Sequence, residues 1–135
     1  MCLLFSAPPA AACFKANPEI DYTIFRESDL ILRAWVVAYE KRPAGQNAVF
    51  RFEVLKTLSG EIAAREVKAE WRNSTFGEPD TWIEPKEVIV GLKAEIGRNG
   101  LATISVVQQP CGPVSILEYS WQNLARVMQG IGNQK

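Results

Sequence analysis

The sequence contains no histidine among its 135 residues. Histidine is the commonest general base near neutral pH and the commonest metal ligand, so its absence removes both. A glycine-rich phosphate loop is also absent, and no serine stands in a nucleophile-elbow context. Paired carboxylates occur beside loop prolines, where solvated charge is the usual interpretation. We therefore expect a protein that is not an enzyme and has no catalytic residues, cofactor or metal.

The formal net charge is zero, because 15 Lys and Arg balance 15 Asp and Glu. Without a long-range positive field, nucleic acid and anionic lipid are disfavoured as partners. The chain is instead rich in apolar residues, at 47% hydrophobic. That proportion is enough for one domain of this length to bury its own core.

Cysteine is scarce, and the three that occur match neither a zinc-binding nor a CxxC redox spacing. Whether these cysteines are oxidised or reduced depends on the cellular compartment. Residues 1–12 combine an apolar stretch with the small residues Ala10–Ala12, which is typical of the end of a signal peptide. We expect a periplasmic or secreted protein. The alternative is a disordered tail on a cytoplasmic domain, in which the other two cysteines, Cys13 and Cys111, are buried as small hydrophobes.

Five segments have the composition or the alternation of β-strands. The run from Leu30 to Tyr39 is too continuous for a surface strand and is typical of a long strand that curves through the core. Phe50, Phe52 and Val54 alternate with charged residues after a polar turn, which indicates a second strand. The other three predicted strands are Glu66–Arg72, Lys86–Lys93 and Leu101–Val107.

Two helices are predicted, one at each end of the strand region. Asn17-Pro18-Glu19 has the capping chemistry of a helix start, and Ser28-Asp29 ends that short helix. From about Ser115 to Gly130 apolar residues recur at helical spacing, which predicts an amphipathic helix packed across the strands. Its apolar stripe consists of Leu117, Trp121, Leu124, Met128 and Ile131.

Strands with helices only at the ends favour a small barrel over a parallel α/β sheet, which needs a helix after nearly every strand. We predict an all-β fold over residues 13–135: a five-stranded OB-type barrel with a short N-terminal helix and an amphipathic C-terminal helix. An open five-stranded α+β sheet is the alternative.

Several segments resemble the netrin-like modules, the OB-type barrels that include the tissue inhibitors of metalloproteinases. Trp71–Gly77 resembles the segment that carries a Cys-Gly in many of them, and Cys111 resembles their closing cysteine. The resemblance starts at about Cys13 and implies a netrin-like fold of bacterial type. Two further runs resemble the first hairpin of those modules, namely Ser28–Val37 and Phe50–Gly60.

Many netrin-like modules begin with Cys-x-Cys, and both thiols form disulfides. Here Ala11 and Phe76 stand at the two ends of one such bridge, so the resemblance implies a single disulfide between Cys13 and Cys111. If unstrained, it is worth on the order of 4 kcal/mol by chain entropy. Lipidation of Cys13 as in bacterial lipoproteins is the alternative, and it would attach the chain to a membrane.

The inhibitors in this family chelate the zinc of their target through the amine and carbonyl of an N-terminal cysteine. Ala11 occupies the matching position in this chain. Metalloproteinase inhibition is therefore the least favoured function that the resemblance implies.

The segment between Asn73 and Pro85 is a polar, proline-containing loop that carries large apolar side chains. Such side chains in a loop are typical anchors for a partner. The equal alternative is that they fold back to cap an open end of the barrel. We predict that a protein or cell-envelope component binds to Phe76, Trp82 and Ile83.

Two functions from different classes remain. The first is an exported, non-enzymatic binding or structural module, and the second is a cytosolic OB-type single-stranded nucleic-acid binder. Phe50, Phe52 and Trp71 are the aromatic residues that could stack bases. Because their neighbours alternate in sign rather than form a positive stripe, we predict that these three are core residues and that no nucleic acid binds.

Overall fold

A computed structural model describes residues 22–41, 48–71, 86–96, 100–108 and 114–132. These residues form six strands, a 3-10 helix that precedes them and an α-helix that follows them. In chain order they are the 3-10 helix Tyr22–Glu27, β1 Leu30–Glu40, β2 Ala48–Ser59, β3 Glu66–Trp71, β4 Glu87–Ile96, β5 Ala102–Val106, β6 Ile116–Glu118 and α1 Trp121–Gly132.

Five of the strands close into a barrel in the order β1-β2-β3-β5-β4, with β4 pairing back onto β1. Among the described residues these barrel pairings are antiparallel except β3–β5, which is parallel and consists there of the pair Glu70–Ser105. The sixth strand, β6, pairs with β4 beyond the point where β5 ends. This closed mixed barrel fits the OB type, so the predicted fold class is confirmed and the open sheet is wrong.

The barrel interior is filled by alternate residues of every strand. Phe50 stacks on Phe52 with ring centroids 5.1 Å apart and on Trp71 at 5.4 Å, while Tyr39 lies 4.7 Å from Phe50. The prediction that Phe50, Phe52 and Trp71 are core residues is therefore confirmed. The interior also contains Leu30, Leu32, Ala34, Val67, Val88, Val90, Leu92 and Val106.

A second apolar cluster lies outside the barrel, between its wall and the two helices. Ile31 and Ile89 point outward from β1 and β4, and they pack with Ile24, Phe25 and Val127. Both strands are thus buried on both faces in this region, which explains why their sequences are continuous apolar runs rather than alternating ones.

Gly91 permits the close approach of the 3-10 helix to β4. A Cβ at this position would collide with Ser28 Oγ and would lie 3.1 Å from both Phe25 and Ser115. Ser115 itself donates from Oγ to the carbonyl of Gly91 at 2.6 Å, and its backbone carbonyl accepts from the Gly91 amide at 2.8 Å. A side chain here would separate the helix from the wall.

The predicted C-terminal helix is confirmed, but it begins at Trp121 rather than at about Ser115, and two residues of its predicted apolar stripe are exposed. Leu117 lies on β6, and α1 begins only after Ser120, whose Oγ accepts from the Asn123 amide at 3.0 Å as an N-cap. The residues of α1 that face the barrel are Leu124, Val127 and Ile131, whereas Trp121 and Met128 are exposed.

Candidate functional site

The residues predicted from sequence to form a site or a disulfide all lie outside the described residues. These are Phe76, Trp82 and Ile83 of the loop, and Cys13 and Cys111 of the disulfide. They remain predictions. Gln108 and Val114 form an antiparallel bridge, and Cys111 lies between them in the sequence.

Most of the exposed large apolar side chains in the described part of the chain lie on three elements. Among the described residues seven large apolar side chains are exposed, and five of them belong to β1, β2 and α1. The other two, Ile96 and Leu101, flank the β4–β5 turn. We call the five exposed apolar residues of β1, β2 and α1, together with three residues beside them, the aromatic wall. It consists of Arg33, Trp35, Val37, Leu55, Glu87, Tyr119, Trp121 and Met128.

Strand pairing places the wall's central residues in one row. Trp35 of β1 pairs with Glu53 on one side and with Glu87 of β4 on the other. The carbonyl of Glu87 then accepts from the Tyr119 amide at 2.9 Å. Since directly paired residues project from the same face of a sheet, Trp35, Glu87 and Tyr119 all point outward.

Two of the three irregularities in the β1–β2 ladder turn further apolar side chains outward. Arg33 pairs with Lys56 and Ala34 with Val54, so Leu55 is an extra residue on β2. A second shift leaves Val37 as an extra residue on β1. Bulges of this kind re-aim side chains, and both Leu55 and Val37 are exposed.

Arg33 holds the centre of the wall together. Its Nε donates to Glu87 Oε2 at 2.6 Å, and its guanidinium carbon lies 4.0 Å from the centroid of the Tyr119 ring. The Arg33 and Glu87 side chains are 36% and 27% exposed, so the pair is partly screened from water. Tyr119 in turn contacts Trp121, with ring centroids 6.5 Å apart. These contacts fix the orientation of side chains that still face solvent.

Helix α1 contributes an exposed apolar stripe beside the face that it buries. Trp121, Ala125 and Met128 follow one another at helical spacing, and all three are exposed. Trp121 is 79% exposed, which is unusual for so large an apolar side chain. The stripe joins the wall through the contact between Trp121 and Tyr119.

Sequence reasoning assigned these aromatic residues to other roles. Trp121 was expected in the buried stripe of the helix, and Trp35 in a strand that runs through the core. A usable signal was present at Trp35, because it stands two residues after Arg33 and residues at that spacing share one face of a strand. No comparable signal distinguishes Trp121 from Leu124, since the helical spacing fits either as the buried residue.

A separate groove crosses β2, β3 and β5 on another side of the barrel. It has a volume of about 350 Å³ and is lined by Val49, Lys68, Glu70, Ala102, Thr103 and Ile104. Other OB-type barrels bind oligonucleotides and oligosaccharides on the face of their second and third strands, and β2 and β3 are two of the three strands that line this groove.

Charges of both signs alternate on the outer face of β2 and β3. Arg51 donates from Nε to Glu66 Oε1 at 2.6 Å, and this hydrogen bond together with the charge of Glu66 raises the pKa of Arg51. Glu53 and Lys68 are exposed on the same face. The described part of this face thus carries alternating charge, and the aromatic residues of its strands point into the core.

Within the described ranges no three potential metal ligands of the His, Cys, Asp or Glu type come together. Over the same residues no helix is long and apolar enough to cross a membrane.

No protein-family model matches this chain, and no curated protein matches it in sequence. The arrangement of the aromatic wall is therefore the basis for the functional interpretation that follows.

Proposed function

We propose that this protein is a non-catalytic, exported binding module of netrin-like OB type. It contacts a protein or a cell-envelope component through the aromatic wall. The observation that carries the proposal is a group of two exposed Trp side chains together with the partly buried Tyr119 and Arg33, on paired strands and at the start of a capped helix. These three residue types dominate the binding energy of characterised interfaces.

The wall has the preorganisation that a binding surface needs. Trp35 is held by a strand paired on both sides, and Trp121 lies in the first turn of a capped helix. Because these side chains lose little freedom on association, more of the contact energy is available as affinity. Aromatic side chains of this size that served only stability would be expected in the core.

The predicted loop site is compatible with this surface. The segment that carries Phe76, Trp82 and Ile83 rejoins the described chain at Lys86. The carbonyl of Lys86 accepts from the amide of Val36 at 2.7 Å, beside Trp35. We propose that the loop residues add to the partner contact made by the wall.

The alternative function, single-stranded nucleic-acid binding, has less support. Such sites combine a positive groove with aromatic side chains on which bases stack. In the described part of β2 and β3 the aromatic residues Phe50, Phe52 and Trp71 are in the core, and the outward charges are mixed.

The test is co-sedimentation of the purified full chain with cell envelopes from its source organism. We expect the double variant W35A/W121A to bind at least about tenfold more weakly than wild type, because truncating an interface hot spot costs ~2 kcal/mol or more. The matched control is I96A/L101A, which removes the two exposed apolar side chains of the β4–β5 turn and should bind like wild type.

Equal binding by wild type and W35A/W121A would contradict the proposal. Retention on single-stranded DNA that falls steeply with added salt would support the alternative function instead. Circular dichroism on each variant checks that it is folded, which we expect because the substituted side chains are exposed.

Export is tested through the proposed Cys13–Cys111 disulfide. Alkylation of the denatured, unreduced protein isolated from its cells should leave these two thiols unlabelled, and labelling should follow reduction. Free labelling of both without reduction would contradict the disulfide. Mass spectrometry of the same peptides would identify a lipid on Cys13, which is the competing modification.

A further inference from the structure

We propose that the aromatic wall binds an uncharged polysaccharide, a chain of neutral pyranose rings. This inference rests on the proposed function and narrows its partner from a protein or cell-envelope component to a glycan. It follows from three properties of the wall: exposed indole side chains, a self-neutralised donor–acceptor pair near them, and the balance of charge around that pair.

The exposed indoles suit the apolar face of a sugar ring. A pyranose presents C–H groups on its faces and hydroxyls at its rim, so it packs on a flat aromatic surface that water can reach. Trp121 is 79% exposed and Trp35 is 40% exposed. Their rings therefore offer apolar area at the surface without the desolvation of a deep pocket.

The Arg33–Glu87 pair can form hydrogen bonds with the hydroxyl groups at the rim of the sugar ring. Within the described residues Arg33 uses its Nε edge for Glu87 Oε2, which leaves further N–H donors on a guanidinium that has five. Glu87 keeps its second oxygen as an acceptor. A hydroxyl group both donates and accepts, so neighbouring hydroxyls of one sugar can satisfy both partners at once.

The charges around this pair favour a neutral ligand over an ionic one. Arg33 and Lys56 stand opposite each other on β1 and β2, and Glu53 and Glu87 pair with Trp35 on its two sides. An acidic segment would face two carboxylates and a basic segment would face two cations. Neither gains net Coulomb energy here, whereas a hydrogen-bonding neutral chain does not depend on it.

The spacing of the aromatic residues suits a ligand several sugar units long. Trp35 and Tyr119 lie in one row with β4 between them, which is about two strand spacings, or ~10 Å. Trp121 contacts Tyr119, with the two ring planes inclined by 56° to each other. A polysaccharide of several units spans this row, whereas peptide anchors fill pockets, and the groove of about 350 Å³ lies elsewhere on the barrel.

The experiment is a pull-down of the purified full chain on insoluble cellulose and chitin, with titration of cellohexaose and chitohexaose by calorimetry. We expect retention on at least one of these glycans, unchanged in 1 M sodium chloride. W35A and W121A should each weaken it at least tenfold, and Trp121→Phe should recover part of the loss because an aromatic face remains. I96A/L101A is the matched control and should bind like wild type.

Absence of binding to all four glycans would overturn the inference, as would binding that W35A and W121A leave unchanged. Protease-treated and glycosidase-treated envelopes separate this failure from failure of the proposed function. If wall-dependent co-sedimentation is lost only after protease treatment, the partner is a protein, and the glycan inference fails while the proposed function stands. If the wall variants never affect co-sedimentation, the proposed function itself fails.

Discussion

Ile31 and Trp35 lie on the same outer face of β1, four residues apart, yet their surroundings are opposite. Ile31 is 1% exposed beneath the 3-10 helix and α1, whereas Trp35 is 40% exposed. The same strand thus has a covered half and an uncovered half. Arg33 lies between them, and its guanidinium stacks on Tyr119, which also packs against the covered cluster.

The difference separates a half whose side chains serve stability from a half whose side chains are available for the proposed binding. In the covered half apolar side chains are matched by the helices that bury them, so removing one leaves a cavity. In the uncovered half the same kind of side chain faces solvent, and removing it changes stability little. Substitutions in the two halves should therefore separate into two classes of effect.

The largest difference in stability is expected between two single variants of β1, one truncated in the covered half and one in the uncovered half. Ile31→Ala should lower the free energy of unfolding by about 2–5 kcal/mol, because Ile31 is fully buried. Val37→Ala, on the exposed half, should change it by less than about 0.5 kcal/mol. Urea unfolding followed by circular dichroism measures both. Similar losses in the two variants would erase the distinction.

A smaller effect is expected from a side chain added under the helix. Gly91→Ala should cost about 1–3 kcal/mol, because its Cβ would meet Ser28 Oγ and Phe25. Ser28 Oγ is buried and makes no hydrogen bond within the described residues, so Ser28→Ala in the same chain should recover part of the loss. Thermal unfolding of the single and double variants gives the comparison. No recovery would mean that Phe25 and Ser115 set the limit.

Much of this architecture could be predicted from the sequence, because strand alternation and turn residues are local signals. Arg51 and Glu53 alternate with Phe50 and Phe52, and this pattern predicted both the strand and the aromatic core. The boundary of α1 was missed because Leu117 continues its spacing by chance. Only the N-cap at Ser120 separates β6 from the helix, and a single serine is a weak signal beside an apolar stripe.

The candidate site was much less predictable. It joins β1, β2, β4 and α1, so it depends on barrel closure and on register rather than on a local motif. Leu55 and Val37 are exposed because of two bulges, and an extra residue in a ladder leaves no mark in a period-two pattern. The stacking of Arg33 on Tyr119 joins residues far apart in sequence.

Loss of the helix cap should affect both halves at once. Ser120→Ala should cost about 1 kcal/mol, since Ser120 Oγ accepts from the Asn123 amide at the start of α1. The first turn of α1 carries Trp121, so fraying there should also weaken partner binding. Ser120→Asp preserves the cap and is the control. Hydrogen exchange of the first-turn amides measures the effect, and unchanged exchange in Ser120→Ala would contradict it.

The smallest effect on stability is expected at the boundary between the halves. In a double-mutant cycle, Arg33→Ala and Glu87→Ala should show a coupling of up to about 1 kcal/mol, because the pair is partly exposed. The coupling should fall with added salt, and the stacking of Arg33 on Tyr119 should survive in Glu87→Gln. Binding should respond more strongly than stability, because Arg33 and Glu87 supply the hydrogen bonds at the centre of the wall. If the substitutions lower the free energy of unfolding by several kcal/mol and leave binding unchanged, Arg33 serves stability as the residues of the covered half do. The aromatic wall would then be an extension of the outer core.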